Sequence, residues 1–328
     1  MLTYRRADAS DDSQILDLVR ASLGPGSVPR TPAYWAWKHL DSPFGPSPVL
    51  VAEAEGRIVG LRAFLRWTWR ADGRAVDAVQ AVDTATHPDW QRRGIFSRLT
   101  KDLLAEVRAE GTAFVFNTPN RNSLPGYLKL GWQTVGRVPL WARPLRGALL
   151  ARGRDGFGAD VQGAEAFLAT PQTEAFLAGL RPEPGRYATP RTLPVLRWRY
   201  AGPPGIPYHA AWSVSGEAEG AAVLFRARRR GALRVLYLSD VLVSPGPAGA
   251  RAARSVLRAV LRSAPADVAV AMGVFGAPAR RVLGARGFVA RPGGGPTFVV
   301  HPLHVPPEAP EPTDPAHWGW TLGDIELF

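Results

Sequence analysis

One stretch constrains the fold of this chain more than any other. Residues 82–132 have the pattern of a strand, a glycine loop, an amphipathic helix, a second strand, a polar turn and a short helix. The long helix is predicted from four apolar residues at helical spacing: Ile95, Leu99, Leu103 and Val107. A glycine loop that leads into a helix presents unpaired backbone N–H groups and the positive end of the helix dipole. The sequence therefore predicts an anion-binding loop at Gly94, and phosphate is the anion that suits it.

Two motifs lie in register within this stretch. The first is the loop Gln91-Arg92-Arg93-Gly94-Ile95-Phe96, and the second places Asn120, Ser123, Tyr127, Gly131 and Trp132 at fixed spacing. Together they resemble the acyl-CoA-binding core of the GNAT acetyltransferase superfamily. The family loop is Gln/Arg-x-x-Gly-x-Gly/Ala, and its second motif is Asn-x-x-Ala-x-x-x-Tyr-x-x-x-Gly-aromatic. Phe96 departs from the small residue of the loop, and Ser123 replaces the alanine. The resemblance covers about residues 1–145.

The resemblance implies a role for each matching residue. Acetyl-CoA would be the acyl donor, and the loop would hold its pyrophosphate through Gln91, Arg92, Arg93, Gly94, Ile95, Phe96 and Ser97. Ala85 and Thr86, at the end of the preceding strand, would pair with the pantetheine arm. Asn120 and Ser123 would contact the same arm. Tyr127 matches the tyrosine that protonates the leaving thiolate, and its alternative role is to pack on the sheet.

The general base is open among three candidates. Asp83 lies in the strand that enters the loop and could take a proton directly. Its alternative role is structural, holding a neighbouring group. A water molecule and the C-terminal carboxylate of Phe328 are the other two candidates. No histidine spacing is typical of a metal site, so no metal is predicted.

The resemblance predicts an α/β fold with two GNAT-like domains, each a mixed, mostly antiparallel central sheet flanked by helices. The predicted bounds are a catalytic domain at 1–145, a linker at 146–160, a degenerate GNAT-like domain at 161–300 and a proline-rich tail at 301–328. Three short segments of the first domain recur in the second at a nearly constant offset, which supports a repeated domain. The matched segments, here called echoes, are Trp37-Lys38-His39 with Trp198-Arg199-Tyr200, Val82-Asp83 with Ser239-Asp240, and Leu130-Gly131-Trp132 with Arg286-Gly287-Phe288. In that copy the loop glycine is missing, and Leu283 stands where the first copy has Tyr127. The tail ends in an apolar segment that we expect to dock.

Composition narrows the possible partners. The chain has no cysteine, which excludes disulfides, thiolate catalysis and cysteine-bound metals. No apolar run is long enough to span a membrane, and a cytoplasmic location is expected. The formal net charge is +12. This surplus fits an anionic partner such as CoA, tRNA or a membrane surface, and it fits codon bias equally well.

The expected function is therefore acetyl transfer from acetyl-CoA to a primary amine of a small molecule or a sugar, by direct attack in a ternary complex. The alternatives are an aminoacyl-tRNA-dependent transferase of Fem type and a non-catalytic CoA-binding or scaffold protein. A nucleic-acid partner ranks below acetyl-CoA because the glycine loop is retained. Four tryptophans suggest a cleft for a sugar or an aromatic acceptor: Trp35, Trp37, Trp67 and Trp69. The alternative for Trp35 and Trp37 is that both pack in the core. The acyl chain length and the oligomeric state are open.

Overall fold

The computed structural model describes residues 1–23, 29–145, 157–158, 161–216 and 218–325. The chain forms two compact units that do not follow chain order. Unit 1 consists of residues 1–136 and 297–317. Unit 2 consists of residues 137–296 together with the segment that begins at Trp318. No helix among the described residues is long and apolar enough to cross a membrane.

A seven-stranded sheet forms the centre of unit 1. Its strands are β1 (Leu2–Arg6), β2 (Val49–Ala54), β3 (Arg57–Ala71), β4 (Arg74–Thr86), β5 (Phe114–Asn117), β6 (Gln133–Arg137) and, from near the end of the chain, β14 (Thr297–Pro302). They lie in the order β1-β2-β3-β4-β5-β14-β6. The pair β4–β5 is parallel, whereas β1 to β4 pair antiparallel in sequence and β14 pairs antiparallel with β5.

Four helices belong to unit 1: α1 (Asp12–Leu23), α2 (Pro32–His39), α3 (Ile95–Ala109) and α4 (Leu124–Lys129). Thr31 begins α2, because its side chain accepts a hydrogen bond from the N–H of Tyr34 at 3.2 Å. The helix predicted from the apolar spacing is confirmed as α3. Its four spaced residues are each at most 1 % exposed and pack in one core with Val79 and Val115 of the sheet. Burying each of these side chains stabilises the fold by about 1.5–3 kcal/mol.

Unit 2 has a second seven-stranded sheet. Its strands are β7 (Leu140–Pro144), β8 (Gln162–Gly163), β9 (His209–Ser215), β10 (Glu219–Arg230), β11 (Leu233–Val243), β12 (Val268–Met272) and β13 (Val289–Arg291). They lie in the order β13-β7-β12-β11-β10-β9-β8. Its helices are α5 (Ala164–Ala169), α6 (Thr173–Gly179), α7 (Leu193–Leu196), α8 (Gly246–Ser263), α9 (Ala277–Ala285) and α10 (Leu322–Ile325). A π-helical segment, Arg197–Ala201, follows α7 directly.

The predicted fold class is confirmed, because both sheets are mixed and flanked by helices. Each sheet also includes one strand from the other half of the sequence. In unit 1, Val299 of β14 pairs with Asn117 of β5. In unit 2, Trp141 of β7 pairs with Ala271 of β12. These pairings differ from the predicted bounds at residues 145 and 300, because a hydrophobic pattern identifies a strand without identifying its neighbour. Most of the predicted linker at 146–160 lies outside the described residues.

The apolar tail docks in unit 2, as expected. Trp318 is 1 % exposed, and its ring centroid lies 4.9 Å from that of Tyr187. The backbone C=O of Trp320 accepts a hydrogen bond from the N–H of Val274 at 2.8 Å. Leu327 and Phe328 lie outside the described residues, and so does the candidate base at the C-terminal carboxylate.

Candidate active site

Strands β4 and β5 part near the middle of the unit 1 sheet. Their parallel ladder covers Ala78–Gln80 of β4 and Phe114–Phe116 of β5. Beyond it, β4 continues to Thr86 against β3. The N–H of His87 donates to the C=O of Val59, so alternation along the strand directs the N–H of Thr86 away from β3. The end of β4 therefore offers backbone groups along the opening, which is what an extended ligand with amides of its own requires.

A β-bulge accompanies this opening. Arg62 of β3 pairs with Thr84, and Ala63 pairs with Val82, which leaves Asp83 as an extra residue in β4. The φ angle of Asp83 is +32°, a sterically unfavourable value for a residue with a side chain. Because a bulge bends its strand and increases the local twist, it turns the end of β4 away from the direction of β5.

The carboxylate of Asp83 is held by the last turn of α2. Lys38 Nζ lies 2.7 Å from Oδ2 of Asp83, and His39 Nε2 lies 2.8 Å from the same atom. Burial alone would raise the pKa of Asp83, but Lys38 and His39 outweigh it and hold the pKa of the carboxyl well below its usual range. Burial also lowers the pKa of His39, so the imidazole is neutral at pH 7 and donates through Nε2. A carboxylate with so low a pKa is a weak base, and its contacts fasten the bulge to α2.

The glycine loop ends at Gly94, which precedes the first residue of α3. The φ angle of Gly94 is +79°, and a Cβ added there would meet no atom within 4 Å. The backbone conformation therefore requires glycine, while the space beside it is open. No side chain caps α3, so the N–H groups of its first turn, which has no preceding turn to bond to, are free for a ligand. The four residues Gln91–Gly94 are exposed, and Arg92 and Arg93 place positive charge at this end of the helix.

Three contacts order the loop. Gln91 Nε2 donates to the C=O of Thr86 at 3.4 Å, and the guanidinium of Arg93 lies 4.5 Å from the ring centroid of Trp90. The carbonyl oxygen of Asp89 also accepts a hydrogen bond from Arg93 at 3.2 Å. The Gln91 contact joins the loop to the end of β4, and the Arg93 contacts hold the loop together internally.

Phe96, the residue that departs from the family loop, turns towards α4. Its ring meets that of Tyr127 edge-on at a centroid distance of 5.7 Å. A Cβ at Gly126 would lie 3.1 Å from the Phe96 ring. Glycine at position 126 therefore makes room for the phenyl group, which packs against the core beside Tyr127.

Asn120 and Ser123 lie at the start of α4. Oδ1 of Asn120 accepts hydrogen bonds from the N–H groups of Asn122 and Ser123, both at 2.9 Å. Ser123 Oγ donates to Asn120 Oδ1 at 3.2 Å. The pair thus orders the turn that begins α4 and fixes where Tyr127 stands, one turn later.

Tyr127 is 3 % exposed and lies between two aromatic rings. Its centroid is 5.0 Å from that of Trp132 and, as noted, 5.7 Å from that of Phe96. Its hydroxyl accepts a hydrogen bond from Nη1 of Arg62 at 2.8 Å. Arg62 is fully buried on β3 and is not among the site residues predicted from the sequence. Its signal is an arginine within the apolar run Ile58–Leu65, at a position that alternation places on the helix-covered face of the sheet.

Comparisons with known proteins agree with this geometry. Residues 3–135 match the sequence model of the acetyltransferase (GNAT) domain. These residues are a GNAT acetyltransferase domain. Among curated proteins, no sequence matches the chain.

Solved structures of GNAT proteins share the fold over nearly the whole chain. A probable N-acyltransferase of Enterococcus faecalis V583 has a TM-score of 0.62 at 10 % identity, over 93 % of this chain and 73 % of its own. A GCN5-related N-acetyltransferase of Anabaena variabilis ATCC 29413 has a TM-score of 0.60 at 13 % identity, over 92 % and 72 %. One from Kribbella flavida has a TM-score of 0.59 at 14 % identity, over 93 % and 72 %. At these identities the likeness concerns the fold.

The tryptophans of the GNAT domain do not form the cleft that the sequence suggested. All four are buried, with Trp35 the most exposed at 7 %. Trp67 packs against Phe44 at 5.0 Å and Trp69 against Phe116 at 5.2 Å. The expectation of a cleft was wrong, and the alternative of core packing holds for Trp35 and Trp37, because large aromatic side chains bury most area against other apolar groups.

Unit 2 repeats the anchored aspartate of the GNAT domain. Asp240 follows the extra residue Ser239 in β11, and its Oδ2 accepts a hydrogen bond from Tyr200 at 2.5 Å. Tyr200 is the echo of His39, and Asp240 is the echo of Asp83. The contact therefore persists in a unit that has neither the glycine loop nor the tyrosine. Because unit 2 lacks these residues, we infer that its contact between Tyr200 and Asp240 stabilises the fold.

The tail of the chain occupies the matching place in unit 2. The β11–β12 ladder ends at Leu238 and Ala271. Just beyond, Gly273 forms a bridge with Thr321, whose Oγ1 donates to Oδ1 of Asp240 at 2.7 Å. The chain itself thus lies where the GNAT domain has its opening.

Among the described residues there is also no group of three His, Asp or Glu that could hold a metal ion.

Proposed function

We propose that the GNAT domain transfers an acetyl group from acetyl-CoA to a primary amine of a small molecule or a sugar. Three observations support this proposal: β4 runs on beyond its ladder with β5, Gln91 of the loop before the uncapped helix α3 hydrogen-bonds to the end of β4, and Tyr127 packs against Phe96 in the first turn of α3. An extended arm, a phosphate group and a proton donor are the three things that acyl-CoA chemistry requires of a site.

The donor site follows from these elements. The N–H groups from Arg92 to Ser97 hold the pyrophosphate at the positive end of α3. Ala85 and Thr86 pair with the pantetheine arm along the opening. The turn formed by Asn120 and Ser123 contacts the arm from the side of α4.

The reaction is a direct transfer. The amine nitrogen attacks the thioester carbon, the carbon–sulfur bond breaks, and sulfur takes the electron pair together with the proton of Tyr127. The attacking amine loses one proton to a base. The low pKa of Asp83 disfavours that carboxylate as the direct base, which leaves a water molecule and the C-terminal carboxylate of Phe328 as candidates.

Calorimetry with acetyl-CoA tests the donor site. The wild type should bind acetyl-CoA, and Gly94→Asp should not, because a carboxylate would then face the pyrophosphate. Gly94→Asn is the matched control: asparagine tolerates a positive φ and brings no charge, so this variant should retain most of the affinity. Equal loss in both variants would mean that backbone strain, and not charge, explains the effect.

A thiol-release assay with amine acceptors tests the transfer. Amino sugars, polyamines and amino acids form the first panel, with Tyr127→Phe as the variant. Loss of a general acid should lower kcat by about 10²-fold or more. If Tyr127→Phe transfers acetyl groups as fast as the wild type does, the acid has been assigned wrongly. Binding of acetyl-CoA without transfer to any amine would favour the CoA-binding scaffold.

The distribution of charge supports a second candidate, an aminoacyl-tRNA-dependent transferase. Residues 137–296 and 318–326 contain 23 arginines and no lysine against 11 acidic residues, whereas the rest of the chain contains 17 of each sign. Codon bias acts on a whole gene, so it does not explain a surplus confined to one unit. Four exposed arginines recur along α8: Arg251, Arg254, Arg258 and Arg262.

Binding of tRNA at 50 and 200 mM salt tests this second candidate. Phosphate contacts would make the affinity fall steeply with salt, and the double variant Arg254→Gln/Arg258→Gln should reduce the slope. Arg70→Gln, an exposed arginine of unit 1, is the control and should leave the slope unchanged. Absence of tRNA binding would remove this candidate.

A further inference from the structure

Arg62 is a buried cation with one hydrogen-bonding partner. Its side chain is fully buried, and Nη1 donates to the hydroxyl of Tyr127. Its Nε and Nη2 are buried, and neither has a hydrogen-bond acceptor in the part of the chain that the structure describes. No carboxylate among the described residues forms an ion pair with it. Burying a charge that is incompletely paired is unfavourable for folding, so the fold does not explain this guanidinium.

Aromatic rings surround the charge. The guanidinium carbon lies 4.7 Å from the ring centroid of Phe64, 5.2 Å from that of Tyr127 and 5.7 Å from that of Phe96. The faces of aromatic rings attract cations, so these three rings compensate part of the cost of burial. They also hold the guanidinium in one position, directed at the tyrosine oxygen.

Unit 2 shows what the fold uses at the same place. In unit 1, Arg62 lies two residues before Phe64 in β3 and pairs with Thr84 of β4. In unit 2, Val223 lies two residues before Phe225 in β10 and pairs with Val241 of β11. Val223 and Leu283, the counterparts of Arg62 and Tyr127, are both fully buried in a single apolar core. An apolar pair therefore fills this position in unit 2, where both the arginine and the tyrosine are replaced.

We propose that Arg62 is a positioning residue for Tyr127, an inference that rests on the proposed acyl transfer. Because Nη1 of Arg62 donates to the tyrosine oxygen, the phenolic hydrogen points away from Arg62 and is available to the leaving sulfur. When the carbon–sulfur bond breaks, that hydrogen passes to sulfur as a proton, and Tyr127 becomes a phenolate. The buried guanidinium stabilises the phenolate until a proton from the attacking amine returns to it through water.

Kinetics in two backgrounds test the proposal. Arg62→Met should lower kcat for acetyl transfer roughly 10- to 100-fold, with the KM for acetyl-CoA within about twofold of the wild-type value. The kcat of Arg62→Lys, which keeps the charge but not the fixed direction of the guanidinium, should lie between those of the wild type and Arg62→Met. In the Tyr127→Phe background, Arg62→Met should have no further effect on kcat. Arg66→Met on the same strand, where the half-buried arginine pairs with Glu110, should leave kcat unchanged.

Thermal unfolding of the same variants gives a readout that needs no turnover. Because methionine fills the space without a buried charge, Arg62→Met should keep or raise the Tm of the wild type. A clear fall in Tm would make Arg62 a structural residue and overturn the proposal. A kcat unchanged in Arg62→Met, or an equal loss in both backgrounds, would also overturn it. If the wild type binds acetyl-CoA but transfers nothing, the proposed function itself fails, and the acid role of Tyr127 fails with it.

Discussion

Nζ of Lys38 lies 2.7 Å from Oδ2 of Asp83 and joins the last turn of α2 to the extra residue of β4. The lysine is 4 % exposed, and His39 completes the contact from the same turn. The bulge that this ion pair secures lies where β4 leaves β5. The ion pair therefore helps to hold the bulge, and with it the opening between β4 and β5, in place.

Asp83→Asn should weaken the fold far more than the chemistry. The variant removes the carboxylate that lies 2.7 Å from the buried ammonium of Lys38, so the free energy of unfolding should fall by about 3 kcal/mol. Per folded molecule, kcat should change less than tenfold, because a carboxylate with a lowered pKa is a weak base. Urea unfolding and thiol release measure the two effects. Asp77→Asn, at an exposed position of the same strand, is the control. A loss of kcat of about 10³-fold with unchanged stability would identify Asp83 as the base.

Gly60→Ala should disturb the start of α3 from the face of the sheet on which that helix packs. A Cβ at this position of β3 would overlap Cγ2 of Ile95, the first residue of α3, and would lie 2.9 Å from Cβ of Ala52. We expect a loss of about 1–3 kcal/mol in stability and weaker acetyl-CoA binding, because the first turn of α3 must move. Calorimetry and thermal unfolding provide the measurements. Gly284→Ala, where a Cβ meets nothing, should keep full affinity.

Val299→Asp should abolish acetyl-CoA binding although residue 299 is far from the loop in sequence. Val299 is fully buried in β14 and pairs with Asn117 of β5. An unpaired carboxylate there should cost about 3 kcal/mol or more and detach β14 from the GNAT sheet.

For the same reason, residues 1–145 expressed alone should aggregate, because β5 becomes an open edge. A well-folded 1–145 fragment that binds acetyl-CoA would contradict this prediction.

Stability should fall as the pH is lowered from 7 to 5. Burial lowers the pKa of His39 in the folded protein from a usual value of 6.5, so below that pH the unfolded chain binds a proton that the folded protein does not. The contribution of His39 is fully present above pH 6.5 and is lost towards the lowered pKa, by at most about 1.4 kcal/mol per pH unit.

Thermal unfolding across this pH range measures the slope. His39→Gln should reduce it, because glutamine retains a donor for Asp83 and does not titrate. His304→Gln, the same change at an exposed position, should leave the slope as in the wild type. Equal slopes in all three proteins would place the titrating group elsewhere.

Local pattern was sufficient for the elements that carry the site. The spacing of apolar residues predicted α3, and the two motifs around Gly94 and Tyr127 indicated the GNAT domain that the family model confirms. The echo between His39–Asp83 and Tyr200–Asp240 was visible in the sequence and returns as the same contact in each unit. These features depend on residues that are close in the chain or on a repeat. Both kinds of feature produce a regular spacing of residues that is visible in the sequence.

Contacts between distant residues were decided only in the tertiary structure. Arg62 reaches Tyr127 across 65 positions, and β14 joins β5 from near the far end of the chain. No periodicity encodes which strand pairs with which, or which charge stays buried without a counter-ion. The sequence determined the helix, the loop and the tyrosine, because each follows from spacing along the chain. The guanidinium behind the tyrosine and the strand that closes the sheet arise from the packing of one element on another.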